Sequence, residues 1–329
     1  MPKLSTAAIG AALLVAASAL PGAMPARAQD QDLTIALIPG LTTDAFYITM
    51  RKGAEQAAEA LGVNLVFQGG PDFNPTVQVP VLDAMIARQP GAILIAPTDK
   101  QQLMGPLRKA HDAGIAVITV DTFIDDGQYQ DGEGQGDFPL SYIASDNVQG
   151  GRMAAHALAE AIGGEGKVYV SNVKPGISTT DQREQGFKEE MADYPDIEVL
   201  ETQFNDDDAN KAASQLQAVL ARNPDLKGVF GANLFSAIGA ADGVKAAGKA
   251  EQIQVVAFDA PQRIVDDIKS GLIDMAIAQH PAEIGYYGVM TAYAVLTGQS
   301  VPITIGTGFT VMDASNIDDP EIQKFVYSD

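Results

Sequence analysis

The sequence predicts an α/β protein of two similar lobes, each a doubly wound parallel sheet. Three observations predict it. Short apolar, β-branched runs recur with no polar alternation, which marks strands buried on both faces. Between them lie segments with apolar residues at helical spacing, several of them closed by glycine. The rhythm breaks once, over residues 123–140, and then starts again. Strands alternating with helices in this way build right-handed βαβ units. The two series share an architecture but no detectable sequence repeat.

The elements follow in order. Leu33 to Ile38 reads as a first strand, stopped by Pro39-Gly40. Asp44 to Leu61 has helical spacing and closes at Gly62. Val63 to Phe67 is a second strand, and Thr76 to Ala87 a helix ended by Gln89-Pro90-Gly91. Ala92 to Ala96 is the third strand, followed by a helix from Gln101 to Ala113. Gly114 closes that helix, and Ala116 to Val120 runs as a buried strand that stops at Asp121-Thr122. Residues 123–140 are acidic, Gly-rich and poor in apolar residues, and read as a surface loop. Its Gly132-x-Gly134-x-Gly136 run lacks the strand and helix of a dinucleotide turn and the spacing of a calcium loop.

Ser141 to Ser145 is a short strand, and Asp146 with Gln149 has capping-box spacing. Strands beginning at Lys167, Ile197, Gly228, Gln254 and Met275 then alternate with helices over 147–163, 179–193, 208–222, 234–247 and 261–270. A long helix over 282–297, an extended segment from Val301 to Val311 and a short terminal helix complete the chain.

Composition narrows the function classes. The chain has 329 residues, enough for two cores. Its formal net charge of -21 disfavours nucleic acid and anionic membrane surfaces. The sequence has no cysteine, which removes disulfides, thiolate metal sites and a cysteine nucleophile. Lys3, the apolar stretch Ile9 to Ala19 and the small-x-small triplet Ala26-Arg27-Ala28 predict a signal peptide over residues 1–28. Pro21 and Gly22 end the apolar run before the roughly 20 residues a membrane span needs. A mature chain from Gln29, exported to a periplasm, is the expectation.

Polar residues collect just past the predicted strands. The first strand leads to Asp44, Phe46 and Tyr47, the third to Thr98 and Asp99, and the fourth to Asp121 and Thr122. In the second series Arg183 lies in the first helix after a strand and Asp207 at the start of the next. Asn233, Asp259 and Gln279 each follow a strand directly. In open α/β sheets ligands bind at the carboxyl ends of the strands. Two such edges facing each other make a cleft of carboxylates, amides, one guanidinium and aromatic rings. That set suits a small polyhydroxylated ligand, because hydroxyls donate to carboxylates, accept from Arg and do both with amides. Phe46 and Tyr47 can cover the C–H face of a sugar or polyol. Asp99, Asp146 and Asp207 also suit helix caps, Phe46 and Tyr47 also suit a core, and Arg183 also suits a surface ion pair.

Enzyme signatures are absent: there is no nucleophile elbow, phosphate-binding Gly-Lys-Ser/Thr loop or zinc-protease helix. Neither a metal nor a cofactor is expected. Of the three histidines, His156 among alanines reads as packing, His111 ends a helix and His280 precedes Pro281 at a lobe crossing.

Several segments together resemble the periplasmic sugar-binding proteins of ABC transporters, of the ribose-binding type. They are Ile95-Ala96-Pro97-Thr98-Asp99, Ala116 to Asp121, Ile143-Ala144-Ser145-Asp146-Asn147 with Gly150-Gly151, Arg183-Glu184-Gln185-Gly186-Phe187, Val256-Ala257-Phe258-Asp259 and Ile277-Ala278-Gln279. The resemblance covers nearly the whole mature chain. It implies two lobes joined by three hinge strands, the periplasmic binding protein type I arrangement, closing on a sugar. The implied lobes are 29–144 with 281–307 and 145–280 with 308–329. The implied hinges lie near Ala144-Ser145, Gln279-His280-Pro281 and Thr307-Gly308. Ligand contacts carry over onto Asp44, Phe46, Tyr47, Asp121, Arg183, Asn233, Asp259 and Gln279, and the strand-end pattern adds Thr122 and Asp207. Ribose binders of the family carry Arg where Thr122 stands, Asn is usual at Asp44, and an aromatic is usual at Asp207. These departures favour another pentose or hexose, or a linear sugar alcohol. The surplus of carboxylates also admits a ligand with an amine.

The expected function is capture of a monosaccharide or sugar alcohol and its delivery to an inner-membrane ABC permease, by a monomer. The alternative is a sensor that presents its ligand to a chemoreceptor or histidine kinase. A secreted hydrolase or isomerase is disfavoured by the missing nucleophile–base pair, and a sugar-responsive repressor by the signal sequence. Asp259→Ala is expected to remove ligand binding with little loss of folding.

Overall fold

The structure, a computed structural model, describes residues 33–129 and 138–328. The segment 1–28, predicted as a signal peptide, and the glycine run Gly132, Gly134 and Gly136 lie outside the described residues.

The first series reads β1 (Thr34–Ile38), α1 (Ala45–Leu61), β2 (Asn64–Phe67), α2 (Pro75–Ala87), β3 (Ala92–Ile95), α3 (Met104–Asp112), β4 (Ala116–Val120) and β5 (Ser141–Ser145). The second reads α4 (Asn147–Ala161), β6 (Gly166–Asn172), α5 (Ser178–Met191), β7 (Ile197–Val199), β8 (Gln203–Phe204), α6 (Ala209–Arg222) and β9 (Leu226–Gly231). It continues with α7 (Leu234–Ala246), β10 (Gln254–Phe258), α8 (Gln262–Lys269) and β11 (Met275–Gln279). The chain ends with α9 (Pro281–Leu296), β12 (Thr304–Thr307), β13 (Phe309–Asp313) and α10 (Pro320–Gln323).

These strands form two sheets. One has the order β12-β5-β4-β3-β1-β2, with every neighbouring pair parallel. The other has the order β13-β11-β10-β9-β6-β7, with β8 also on β6. Helices on both faces explain the unbroken apolar runs: Ile35 to Ile38 and Ala92 to Ile95 are all 0% exposed. Each such Ile or Leu contributes about 1.5–3 kcal/mol by leaving water. Side chains set the helix starts: Asp44, Asn74, Asp146, Asp208 and Asn233 each accept a hydrogen bond from a first-turn backbone N–H.

Both lobes use glycine to bring a helix pair to backbone contact. A Cβ at Gly285 of α9 would stand 1.9 Å from the Met50 carbonyl oxygen of α1. A Cβ at Gly151 of α4 would stand 2.1 Å from the Arg183 carbonyl oxygen of α5. The second contact fixes the height of the helix that carries Arg183.

The chain passes between the sheets' layers three times. β5 belongs to the first sheet, but α4 packs on α5 and β10. β11 belongs to the second, but α9 packs on α1, β3 and β4. β12 and β13 belong to different sheets and are separated by Gly308 alone. Ser145 Oγ and Thr307 Oγ1, at two of these passages, lie 3.2 Å apart.

Three expectations need correction. The extended segment over 301–311 is two strands, and β13 runs antiparallel to β11. It enters the second lobe from the cleft, whereas the other strands there run toward the cleft. The segment 123–140 is not simply a surface loop: Phe123, Ile124, Tyr129 and Phe138 are buried in the first lobe's core. These four dispersed residues anchor the segment to that core. His156 is not packed among alanines. It is exposed, 2.8 Å from Tyr194 Oη and beside Glu160 and Glu190.

Candidate functional site

Nine of the ten predicted ligand residues line one cavity between the two sheets' carboxyl edges: Asp44, Phe46, Tyr47, Asp121, Arg183, Asp207, Asn233, Asp259 and Gln279. About 420 Å³ of atom-free space, open solvent included, lies among these residues. Thr122 is the exception. Its hydroxyl donates to the Pro97 carbonyl at 2.8 Å and it does not line the cavity. Asp121 turns into the cleft, while Thr122 turns back to the loop that follows β3. Asp99 is a cap, accepting from the N–H groups of Gln101 and Gln102.

The first lobe supplies an acid–aromatic group from two elements. Asp44 caps α1, its Oδ1 accepting from the Phe46 N–H at 2.8 Å. The cap places Phe46 and Tyr47 in the first turn of the helix, where their rings meet edge to face at 5.1 Å. Tyr47 Oη donates to Asp121 Oδ2 at 2.7 Å. Asp121 follows β4 with φ 62, while its N–H still bonds the Ile143 carbonyl. Left-handed backbone is uncommon outside glycine and is best tolerated by Asn and Asp. Asp207 and Asp259 share it, with φ 65 and 74. Three of the four cavity carboxylates are therefore held by the same local turn.

The second lobe supplies the rest. Arg183, 3% exposed, donates from Nε to Asn147 Oδ1 at 2.8 Å and from Nη1 to the Ala232 carbonyl at 2.9 Å. Its guanidinium carbon lies 3.9 Å from the Phe258 ring centroid, so the ring supports one face of the cation. Asn233 caps α7 through Oδ1 and donates from Nδ2 to Asp207 Oδ1 at 2.7 Å. Asp259 follows β10 and accepts from three donors: Leu234 N at 3.2 Å, Gln279 Nε2 at 2.8 Å and Tyr327 Oη at 3.0 Å. Three buried donors depend on Asp259, which argues for a larger folding cost on its removal than the little loss expected from sequence.

Four carboxylates and one guanidinium share this space, and burial is the largest influence on Asp44, Asp121 and Asp207. Burial pushes Asp121 and Asp207 each up to about 6, against the favourable hydrogen bonds from Tyr47 and Asn233. Burial, and next the Asp259 charge, hold Asp44 well above the ordinary carboxylate range. Thr180 and Gln279 line the same cavity, and their buried Oγ1 and Oε1 have no hydrogen-bond partner among the described residues. Buried polar atoms of this kind are costly unless a bound molecule pairs with them. Among the described residues no group of three His, Asp or Glu side chains is placed to hold a metal ion. The arrangement offers many acceptors, one fixed cation and aromatic rings to a neutral molecule rich in hydroxyls.

The lobes also touch beside the cleft. Lys100 Nζ lies 3.3 Å from Asp181 Oδ2, and the Phe123 N–H donates to Ser178 Oγ at 3.0 Å. Sequence reasoning missed Thr179 and Thr180, which lie in the first turn of α5, and Phe73, which lies in a loop. None of them carries the strand-end signal. It also missed Asn147 and Tyr327, which hold Arg183 and Asp259 from outside the cavity; for Asn147, the Asp146-Asn147 pair at a lobe crossing was the available hint.

Comparison with known proteins agrees with this geometry. The family model described as a periplasmic binding protein domain matches residues 35–300. The ribose import binding protein of Salmonella typhimurium is 33% identical over 290 residues, covering 88% of this chain and 93% of that one. The D-ribose/D-allose-binding protein of Pseudomonas aeruginosa is 31% identical, covering 81% and 83%. Among solved structures, an ABC transporter solute-binding protein from Agrobacterium vitis, bound with α-D-tagatopyranose, is 72% identical. Its TM-score is 0.89, over 90% of this chain and all of that one. A carbohydrate transporter solute-binding protein from Agrobacterium radiobacter, in complex with D-arabinose, has a TM-score of 0.83 at 29% identity, covering 90% and 99%. With its two facing sheets, its acid-lined cleft and these relatives, the chain belongs to the periplasmic binding protein family, in its ribose-type, sugar-binding group.

Proposed function

We propose that this protein captures one monosaccharide in ring form between its lobes and delivers it to the permease of an ABC importer. D-tagatose is the first candidate, because the 72% identical Agrobacterium vitis protein was solved with that sugar. The observation that carries the reading is the cavity itself: acids, amides, Arg183 and the Phe46–Tyr47 pair from two separate sheets face one space. Asp44, Phe46, Tyr47 and Asp121 would hold one side of the ring. Arg183, Asp207, Asn233, Asp259 and Gln279 would hold the other.

The lobes we assign are 29–144 with 281–307 and 145–280 with 308–329, turning about the passages near Ala144-Ser145, Gln279-His280-Pro281 and Thr307-Gly308. A sugar that bonds both lobes favours closure, because only the closed form completes its hydrogen bonds. The signal-peptide reading of residues 1–28 supports a periplasmic location for the mature chain, which we read as a monomer.

The test is calorimetry and thermal shift on the mature protein with D-tagatose, D-ribose, D-arabinose, D-fucose and galactitol. One of them is expected to bind at a single site and to raise the melting temperature. At a hundred times its Kd, such a ligand stabilises by about 2.7 kcal/mol. A protein that none of the five stabilises would refute the reading.

A further inference from the structure

The C-terminal segment after α10 runs behind the cleft and touches the binding residues of both lobes. The Tyr327 N–H bonds the Ala260 carbonyl at 2.9 Å, and Tyr327 pairs in a parallel bridge with Pro261. Phe325 stacks on His280, ring centroids 4.1 Å apart, at one of the passages between lobes. The Ser328 N–H reaches Thr49 Oγ1 of α1 at 2.7 Å. The segment is thus fastened to the second lobe, a crossing and the first lobe within four residues.

Tyr327 sits at the centre of this. It is 3% exposed and does not line the cavity. Its hydroxyl accepts from the Gln279 N–H at 2.9 Å and donates to Asp259 Oδ1 at 3.0 Å. Asp259 Oδ1 also accepts from Gln279 Nε2, so one hydroxyl ties the backbone of Gln279 to the carboxylate that its side chain holds. The Tyr327 ring meets Phe46 at 5.8 Å, edge to face, on the first-lobe wall.

We propose that Tyr327 is a positioning residue for the sugar: its hydroxyl sets the orientation of Asp259 and Gln279, and its ring registers them against Phe46 in the opposite lobe. A phenol is suited to this. It donates to a carboxylate and accepts from a backbone N–H through the same atom. Its rigid ring carries that atom across the gap behind the cleft. A carboxylate on left-handed backbone with no such partner keeps several orientations, and a ligand that needs one of them binds more weakly.

The proposal rests on the sugar-capture reading, and the experiment separates the two. D-tagatose is titrated calorimetrically into wild type, Tyr327→Phe, Asp259→Asn and the double variant, with weak binding read by ligand-observed NMR. The melting temperature of each unliganded protein is recorded. Tyr327→Phe keeps the ring and is expected to melt within a few degrees of wild type. It is expected to lose affinity about tenfold, the scale of one hydrogen bond to a charged group. In the Asp259→Asn background the same change is expected to cost less than about twofold, because the carboxylate that Tyr327 orients is gone. Native affinity in Tyr327→Phe would overturn the proposal. So would an equal loss in both backgrounds, or a loss that only accompanies a large fall in melting temperature, since each marks a general structural role. A wild-type protein that binds no sugar would instead refute the sugar-capture reading.

Discussion

Replacing Asp259 with alanine probes the fold and the site together. The substitution leaves three buried donors without their acceptor: Leu234 N, Gln279 Nε2 and Tyr327 Oη. Breaking hydrogen bonds to a charged group costs about 1.5–3 kcal/mol each, so the gross loss is roughly 5–9 kcal/mol. Alanine at φ 74 adds about 1 kcal/mol of backbone strain. Against this stands relief of a buried charge, which amounts to several kcal/mol. Asp259 is among the charges that raise Asp44, Asp121 and Asp207, so its removal lets each of them ionise more easily. The net is a loss of about 3 kcal/mol, or roughly 6 °C for a chain of this size. Sugar affinity is expected to fall at least a hundredfold, about 2.7 kcal/mol. Differential scanning calorimetry and titration calorimetry on the same preparation measure both. An Asp259→Ala protein that melts within 1 °C of wild type would show that the three donors are not anchored there. One that keeps its affinity would remove Asp259 from the site.

Thr122→Val separates the structural strand-end residue from the binding ones: it is expected to cost about 1 kcal/mol, for the bond to the Pro97 carbonyl, while affinity stays within twofold. A large affinity loss would return Thr122 to the cleft. Gly151→Ala drives a methyl into the Arg183 carbonyl, so a stability loss of about 3 kcal/mol or more is expected, with weaker sugar binding as α5 shifts; unfolding and binding titrations unchanged from wild type would refute the close contact. The unliganded protein is expected to melt several degrees higher at pH 5 than at pH 7. Asp121 and Asp207 sit at about 6 in the folded state against an ordinary 3.8, so the folded chain binds more protons across that interval. Their contribution is full below about pH 4 and is lost as pH rises through about 6. Melting scans from pH 4 to 8 that show the opposite slope would exclude buried acids as the source.

The pattern of elements was legible because parallel strands buried on both faces leave unbroken apolar runs, as in Ala92 to Ile95, and helices between them open on Asp or Asn caps and, as at Gly62, close on glycine. Strand-end position then located Asp121, Asn233, Asp259 and Gln279, because a doubly wound sheet delivers all such ends to one edge. Asp44 was legible both as a helix start and as a polar residue past the first strand, and it both caps α1 and lines the cavity. Thr122 was misjudged because sequence marks where a strand stops but not which way each following side chain turns. The loop over 123–140 was misread for a related reason: its few apolar residues, Phe123, Ile124, Tyr129 and Phe138, are dispersed, and only folding shows that all four are buried.

By itself the sequence determined local matters: where strands and helices begin, which residues cap them and which polar groups stand at strand ends. Those follow from side-chain periodicity and turn chemistry over a few residues. The tertiary structure alone decided that two separate sheets face each other, and that Tyr327 from the chain's last turn stands behind Asp259. It also decided that Asn147 and Phe258 grip Arg183, and that crowding raises the acids. Each of these depends on groups far apart in the chain meeting in a space that excludes water, where a carboxylate's neighbours, rather than its own chemistry, determine its charge.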